Sequence, residues 1–122
     1  MSRRRAAEAR GRLAEFLATT LLRLHGYRIL ARRYRTPVGE IDVVARRGGR
    51  LAFVEVKARR AGRSAREAVT PHQRRRIARA AESFLGRRPQ PGVDAIGFDL
   101  IAVGRFGLPV LVRDAWRLDE AG

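Results

Sequence analysis

The chain has 122 residues, of which 45% are hydrophobic, and this is enough for one domain with its own core. It contains no cysteine, which excludes disulfides and thiolate metal sites and leaves oxygen atoms as the expected ligands of any ion. The net charge of +15 is spread along the chain and predicts attraction to a polyanion such as nucleic acid, although a ribosome-associated role or an arginine-rich proteome would also explain it.

The amino terminus is basic, but the residues after it are not those expected of a signal peptide. Glu15 and Arg23 interrupt the apolar run that would have to follow residues 1–5. No stretch approaches the roughly 20 apolar residues that a membrane-spanning helix needs. We therefore expect one cytoplasmic domain over residues 1–122, with a flexible start at 1–5, an irregular tail at 114–122 and no membrane partner.

The first half of the chain predicts one helix followed by three strands. Residues 6–24 have apolar side chains at helical spacing, and His25-Gly26 supplies a stop signal. The apolar positions are Leu13, Phe16, Leu17, Leu21 and Leu24. Three β-prone runs follow at residues 27–34, 40–46 and 51–57.

The second half predicts a helix and two further strands. Thr70-Pro71 opens the helix as N-cap and first-turn proline, and the helix ends before the turn at residues 89–92. Strands are predicted at residues 93–103 and 108–112. The order α-β-β-β-α-β-β predicts an α/β domain with a central mixed β-sheet flanked by helices.

The hairpin between the second and third strands brings acidic residues together. A two-residue turn at residues 48–49 places Asp42 opposite Glu55. The same register places Glu40 opposite Lys57, and alternation puts all four side chains on one face of the sheet. The other face would be apolar throughout, with Ile41, Val43, Ala45, Ala52, Val54 and Val56.

The pairing of Asp42 with Glu55 is unfavourable for an ordinary strand pair. Unit charges about 5 Å apart repel by about 3 kcal/mol at an effective dielectric near 20. A divalent cation such as Mg²⁺ would remove this conflict. The alternative is that both acids are exposed and neutralised by arginines such as Arg46 and Arg59. A three-residue loop would instead move Asp42 to the other face.

The only lysine of the chain lies beside these acids. Of 27 lysine and arginine residues, 26 are arginine, and asparagine is absent. This composition indicates that arginine replaces lysine wherever either serves. Lysine is a compact charge whose pKa can move, whereas guanidinium stays charged. Lys57 therefore marks a position where arginine does not serve.

Two motifs carry a resemblance to known proteins. GEID at residues 39–42 and FVEVKAR at 53–59 resemble the D…E-x-K signature of the PD-(D/E)xK nuclease superfamily. The order of elements over residues 11–103 is most similar to the bacterial YraN family of uncharacterised proteins, which resembles archaeal-type Holliday junction resolvases. The resemblance implies a restriction-endonuclease-like fold and a Mg²⁺- or Mn²⁺-dependent endonuclease with limited sequence specificity. Its implied partners are DNA, such as branched or repair intermediates, and a second copy of the chain.

The resemblance also implies the ligands of the ion. Asp42, Glu55 and the backbone carbonyl of Val56 would bind it. Glu15 would lie beside the ion through water, or would be an ordinary solvated residue of the first helix. Asp99 is similar to an acidic position of the family and has no assigned role.

Lys57 would position or help to deprotonate the attacking water, because a bound metal lowers the pKa of that water. Glu40 would be a partner that positions Lys57. The catalytic residues implied by the resemblance are therefore Asp42, Glu55, Lys57, Glu15 and Glu40.

A basic surface around the second helix is predicted to contact phosphates. Its residues are Arg59, Arg60, Arg63, Arg66, Arg74, Arg75, Arg76 and Arg79. Binding of this kind weakens steeply with salt and reads backbone shape more than sequence. Gln73 belongs either to this surface, as in relatives with a Q-x-x-x-Y pattern, or to a capping box with Thr70. Capping is favoured because Ile77 replaces the tyrosine.

Three classes of function stay open. A nuclease needs the acidic cluster, whereas a catalytically silent nucleic-acid-binding module has no need for acids that repel phosphate. A ribosome-associated structural protein would explain the charge but not the cluster. The acids therefore favour the enzyme.

Overall fold

A computed structural model describes residues 2–58, 66–104 and 108–117. The elements follow the order α-β-β-β-α-β-β, with one short 3-10 helix at Arg66–Ala68, so the predicted α/β class is confirmed. The elements are α1 (Arg3–Leu24), β1 (Arg28–Thr36), β2 (Gly39–Arg47), β3 (Arg50–Ala58), α2 (Pro71–Arg87), β4 (Ala95–Val103) and β5 (Val110–Trp116).

The five strands form one mixed sheet in the order β1-β2-β3-β4-β5. Strands β3 and β4 are parallel, and every other neighbouring pair is antiparallel. A parallel pair needs a crossover, and here α2 supplies it. The candidate acidic residues on β2 and β3 therefore lie in the middle of the sheet.

Each face of the sheet carries a core. On one face Ile77, Ala80 and Phe84 of α2 pack against Phe53 and other residues of the sheet. On the opposite face the small residues of α1 pack on the strands, with Ala18, Leu22, Val43, Val54 and Ile101 among the buried residues. The prediction that one face of the hairpin is core and the other is charged is therefore wrong. The acidic residues of the hairpin instead lie at one end of two strands that are covered on both sides.

Helix α1 buries a different stripe from the predicted one. Ala18 and Leu22 are fully buried, whereas Leu13, Phe16 and Leu24 are 58%, 63% and 80% exposed. Both stripes have helical spacing, so periodicity could not choose between them. A small residue at the contact lets the helix axis approach the sheet closely.

Two predicted boundaries also differ from the structure. Helix α1 begins at Arg3, because the Ser2 hydroxyl accepts a hydrogen bond from the Arg5 amide and caps the helix. Strand β5 continues to Trp116, so residues 114–116 belong to the sheet and not to an irregular tail. Burial of Trp116 beside Phe98 accounts for this extension.

In the part of the chain that the structure describes, neither helix combines the length and hydropathy required to cross a bilayer.

Candidate metal and nucleic-acid site

The predicted hairpin register is confirmed over residues 43–47 and 50–54, but the ladder ends there, so the predicted pairs Asp42–Glu55 and Glu40–Lys57 are not part of it. Strand pairing runs from Arg47 opposite Arg50 to Val43 opposite Val54, as a two-residue turn at residues 48–49 requires. Gly48 has a φ of 56°, a backbone conformation that is unfavourable for residues with a Cβ atom. The turn therefore brings Asp42 and Glu55 to neighbouring positions.

Beyond Val43 and Val54, the side chain of Asp42 replaces the ordinary strand pairing. Its Oδ2 accepts a hydrogen bond from the Val56 amide at 2.8 Å. In an antiparallel ladder the N–H and C=O of one residue point to the same neighbour. The Val56 carbonyl therefore points toward the same edge of β3 as the Asp42 carboxylate, as the predicted ligand set requires.

The prediction that Ile41, Val43 and Ala45 of β2 share one face of the sheet is wrong for Ile41. Ile41 packs with the core under α2, whereas Val43 and Ala45 pack with the core under α1. Regular alternation would place all three on one face. The alternation changes at Asp42, next to Arg33 of β1, which has a φ of 48°. Asp42 thus lies at an irregular point of the sheet.

Asp42 and Glu55 form a carboxylate pair. Burial, followed by the hydrogen bond with Asp42 and the negative charge of Asp42, raises the pKa of Glu55 from 4.5 to about 9. Within the described residues, neither carboxylate forms an ion pair with an arginine. Arg46, proposed as a neutralising partner, instead donates to the carbonyls of Gly48 and Pro91, both at 2.8 Å.

Lys57 lies two residues beyond Glu55 on the same strand and is half-buried. Its positive charge lowers the pKa of Glu55 and so opposes the effects of burial and of Asp42. Side chains two apart on a strand point to the same face. Lys57 therefore belongs to the same strand face as Glu55, and its catalytic role remains a prediction.

The two outer acids are held by arginines of β1. Glu15 of α1 accepts a hydrogen bond from Arg33 Nε at 2.7 Å. Glu40 lies 3.5 Å from Arg35 Nε, between side chains that are both largely exposed. Among the described residues, three or more acidic or histidine side chains do not gather in one cluster. The metal-binding role of Glu15 and the positioning role of Glu40 remain predictions.

Two cavities open on opposite sides of Asp42. We call the larger, of about 450 Å³, the α1-side cavity, and it is lined by Glu15, Arg33, Arg35, Glu40, Asp42 and Val56 among others. The smaller, of about 260 Å³, is the α2-side cavity, lined by Glu40, Asp42, Glu55, Gln73, Arg76 and Ile77. Asp42 and Glu40 line both cavities. The point where β2 leaves β3 is thus reached from both faces of the sheet.

Helix α2 forms one wall of the α2-side cavity, and two contacts fix its position. The first is a cap at its start. Thr70 Oγ1 accepts from the Gln73 amide at 3.2 Å, and Gln73 Oε1 accepts from the Thr70 amide at 2.9 Å. This is the predicted capping box, and it is confirmed. Further along, a Cβ added at Gly39 would collide with the backbone carbonyl of Arg76. Close contact with β2 therefore sets the distance between α2 and the acids.

Of the predicted phosphate-contacting residues, Arg59, Arg60 and Arg63 lie outside the described residues. Arg74 donates to the Val69 carbonyl at 3.0 Å and lies 5.9 Å from the Trp116 ring, so local contacts hold it. Arg75 and Arg76 are exposed on α2, and Arg76 lines the α2-side cavity together with Gln73.

Arg33 and Arg35 were not among the site residues predicted from the sequence. The run YRILARRYR, which covers most of β1, contains four arginines, and regular alternation does not single out any of them. Only the change of face at Asp42 and Arg33 turns these two side chains toward the acids. No signal in the sequence marks that change.

The residues at this point fit a divalent cation. Asp42 and Glu55 offer hard oxygen ligands, and the Val56 carbonyl points to the same edge. Mg²⁺ is commonly bound by one or two carboxylates and keeps several waters. A cation would also offset the burial and the charge of Asp42 that together raise the pKa of Glu55, and the α2-side cavity leaves room for its waters.

The family model described as "Uncharacterised protein family UPF0102" matches residues 14–103. The chain belongs to the UPF0102 family. This is the YraN family that the motifs indicated, so that prediction is confirmed. The matched residues include every residue that lines the α2-side cavity and, apart from Gly11, every residue that lines the α1-side cavity.

Close relatives come from several bacteria. UPF0102 protein amb4503 of Paramagnetospirillum magneticum is 48% identical over 118 residues, covering 93% of this chain and 92% of the relative. A UPF0102 protein of Parvibaculum lavamentivorans is 51% identical over 112 residues, covering 92% and 84%. UPF0102 protein Atu0303 of Agrobacterium fabrum is 48% identical over 115 residues, covering 94% of each. The names of these relatives state no activity.

Proposed function

We propose that this UPF0102 protein is a metal-dependent endonuclease of the PD-(D/E)xK kind that hydrolyses phosphodiester bonds in DNA. The observation that carries the proposal is the contact between Asp42 and Glu55 at the divergence of β2 and β3, with Lys57 beside them. An acidic pair of this kind is unfavourable for folding and favourable for binding a cation. A lysine at the same point supplies the positive charge that a phosphate requires.

Asp42, Glu55 and the Val56 carbonyl would hold Mg²⁺ or Mn²⁺. When bound, such an ion lowers the pKa of a coordinated water and stabilises negative charge on phosphate oxygens. Asp42 has a second task, because its bond to the Val56 amide fixes the spacing of the two strands. Glu55 must lose its proton before it can act as a ligand.

Lys57 would orient the attacking water and offset the charge of the scissile phosphate. Its position on β3 fixes it relative to Glu55, because both belong to one strand. Arginine would not replace it, since a planar guanidinium is larger and does not release a proton near neutral pH. This requirement explains why a chain otherwise rich in arginine keeps one lysine.

DNA is the proposed substrate because the net charge of +15 attracts a polyanion and the exposed arginines of α2 border the site. Contacts of this kind read the backbone and not the bases. Branched or repair intermediates are proposed because the resemblance to Holliday junction resolvases implies them. Recognition of shape is consistent with such substrates.

The test is a cleavage assay on linear, flapped and four-way DNA with Mg²⁺ or Mn²⁺. We expect cleavage by the wild type and loss of at least about 100-fold in Asp42→Asn and Lys57→Ala. Glu82→Gln is the matched control, because this exposed acid on α2 lies outside both cavities. Cleavage that survives both substitutions would show that the activity comes from elsewhere.

A second candidate function is a catalytically silent nucleic-acid-binding module. The observation that favours it is that Glu15 and Glu40 are each paired with an arginine and do not join the central acids. Binding of all three DNA forms without cleavage, together with no Mn²⁺ binding in calorimetry, would support this module. Mn²⁺ binding that Asp42→Asn abolishes would support the nuclease.

A further inference from the structure

We infer that the α1-side cavity binds a phosphate of a nucleic-acid strand, with Arg33 as the contact and Glu15 as a competitor that holds Arg33 when no phosphate is bound. The inference rests on the proposed function for the identity of the ligand. It assigns a role to the larger cavity, which the ligand set of the ion does not use beyond Asp42 and Val56.

The backbone of Arg33 is specifically shaped to reach this cavity. Ala31 and Tyr34 both pack in the core under α2, although residues three apart on a regular strand point to opposite faces. Regular alternation from Ala31 would point Arg33 toward α2 as well. Its φ of 48° turns it to the α1 side instead. Such a conformation costs about 1 kcal/mol or more in a residue other than glycine, and positions of this kind cluster at functional sites.

The bond between Arg33 and Glu15 can be exchanged for a bond to phosphate. It uses Nε of a guanidinium that has four further N–H donors in the same plane. The Arg33 side chain is 49% exposed, so an incoming anion can reach it, whereas Glu15 is only 17% exposed. Because the geometry of a guanidinium suits both carboxylate and phosphate, the two anions compete for the same Arg33 guanidinium.

A second arginine extends the same surface. Arg35 follows Arg33 at the next position on the same side of β1, and its pair with Glu40 is long, at 3.5 Å, and exposed. Exposed pairs contribute about 0 to 1 kcal/mol, so this pair offers little resistance to exchange. The cavity volume of about 450 Å³ lies within the range of small-ligand sites. One phosphate with its sugar is therefore a suitable occupant.

The position of the cavity decides which phosphate it would hold. Asp42 lines both cavities, so a strand that places one phosphate at the acidic pair has its neighbour within reach of the cavity wall. Arginines of α2 lie on the other side of the sheet. The strand would thus be held from both faces, with the scissile bond between them.

The test measures binding of a fluorescent DNA duplex of about 20 base pairs by anisotropy, in EDTA, across a series of salt concentrations. We expect Arg33→Gln to weaken binding about tenfold and to reduce the salt slope by about one, as the loss of one phosphate contact requires. Arg23→Gln removes the same charge from the far end of α1 and should change binding by less than about twofold.

The second arm tests the competitor. Glu15→Gln should tighten binding several-fold, whereas Glu82→Gln, which removes the same charge elsewhere, should not. In the Arg33→Gln background, Glu15→Gln should have no further effect, because the two residues act through one bond. Arg33→Lys should restore part of the affinity, and thermal melts of each variant check that it is folded.

Equal effects of Arg33→Gln and Arg23→Gln, or additive effects of Glu15→Gln and Arg33→Gln, would overturn the inference. Neither result depends on cleavage, because the assay contains no divalent ion. Coupling between Glu15 and Arg33 in a protein that cleaves nothing would keep the phosphate site and reject the nuclease. Cleavage without that coupling would keep the nuclease and reject the site.

Discussion

Two acidic residues on adjacent strands, Asp99 on β4 and Glu55 on β3, have opposite surroundings. Asp99 is fully buried, and both of its oxygens accept bonds from Arg50, at 2.7 and 2.9 Å. The Asp114 amide also donates to it at 2.9 Å. The same arrangement raises the pKa of Arg50, mainly through its hydrogen bonds with Asp99. Glu55 instead faces another carboxylate, that of Asp42, and burial raises its pKa to about 9.

The difference separates a charge that the fold neutralises from a carboxyl group that the fold keeps protonated. A charge that serves the fold is neutralised by a partner from the same chain, because an unpaired buried charge is costly. The acids at the end of β2 and β3 lack such a partner within the described residues. The fold instead keeps Glu55 protonated up to about pH 9, so an ion from outside would bind there by displacing that proton.

Removing Arg50 should have the largest effect on stability. Arg50→Met leaves Asp99 buried without its counter-charge, and we expect the free energy of unfolding in urea to fall by about 3 to 5 kcal/mol. For Asp42→Asn, which changes the other acidic region, we expect the free energy of unfolding to fall by much less. A loss below about 1 kcal/mol for Arg50→Met would show that Asp99 does not depend on this partner.

Glu55→Gln should stabilise the metal-free protein. The raised pKa means that folding takes up a proton, so the free energy of unfolding of the wild type should decrease as the pH rises from 4.5 to about 9. Glutamine removes this dependence, and we expect a gain of about 2 kcal/mol at pH 8. Urea titrations at pH 5 and pH 8 measure it. An unchanged slope with pH would contradict the assignment to Glu55.

A divalent cation should stabilise the wild type and release protons. At a free Mn²⁺ concentration about ten times Kd, the expected gain is about 1.4 kcal/mol. Because Glu55 is protonated below about pH 9, binding at pH 7 should release about one proton. Calorimetry in two buffers of different ionisation enthalpy counts that proton. Glu55→Gln should show neither the stabilisation nor the proton release. Release of one proton from that variant would mean that the proton comes from a group other than Glu55.

Replacing Lys57 should have the smallest effect on the fold. Lys57→Met removes one favourable charge from beside Glu55, and we expect the free energy of unfolding to change by less than about 0.5 kcal/mol. Under the proposed function the same variant loses cleavage. A destabilisation as large as that of Arg50→Met would make Lys57 a structural residue.

Much of the site was predictable because its signals are local. The glycine pair at residues 48–49 set the hairpin register, which brought Asp42 beside Glu55. The capping box at Thr70 and Gln73 was predictable for the same reason, since both partners lie within one turn. The identity of the family followed from two short motifs on adjoining strands.

Other features could not be predicted because they depend on residues far apart in the chain. The partner of Asp99 is 49 residues away, and the arginine that holds Glu15 is 18 residues away. The exposed stripe of α1 and its buried stripe have the same periodicity, so only the sheet selects between them. The change of face at Asp42 arises where two strands meet, and neither strand shows it alone.

The sequence by itself determined the order of the elements, the hairpin and the acids that it brings together, because turn geometry and strand alternation act over a few residues. Tertiary structure alone decided which charges are compensated and which are not. It did so because compensation requires an arginine from a distant strand to arrive within hydrogen-bonding distance. Arg50 reaches Asp99 in this way, and no described arginine forms such a pair with Glu55.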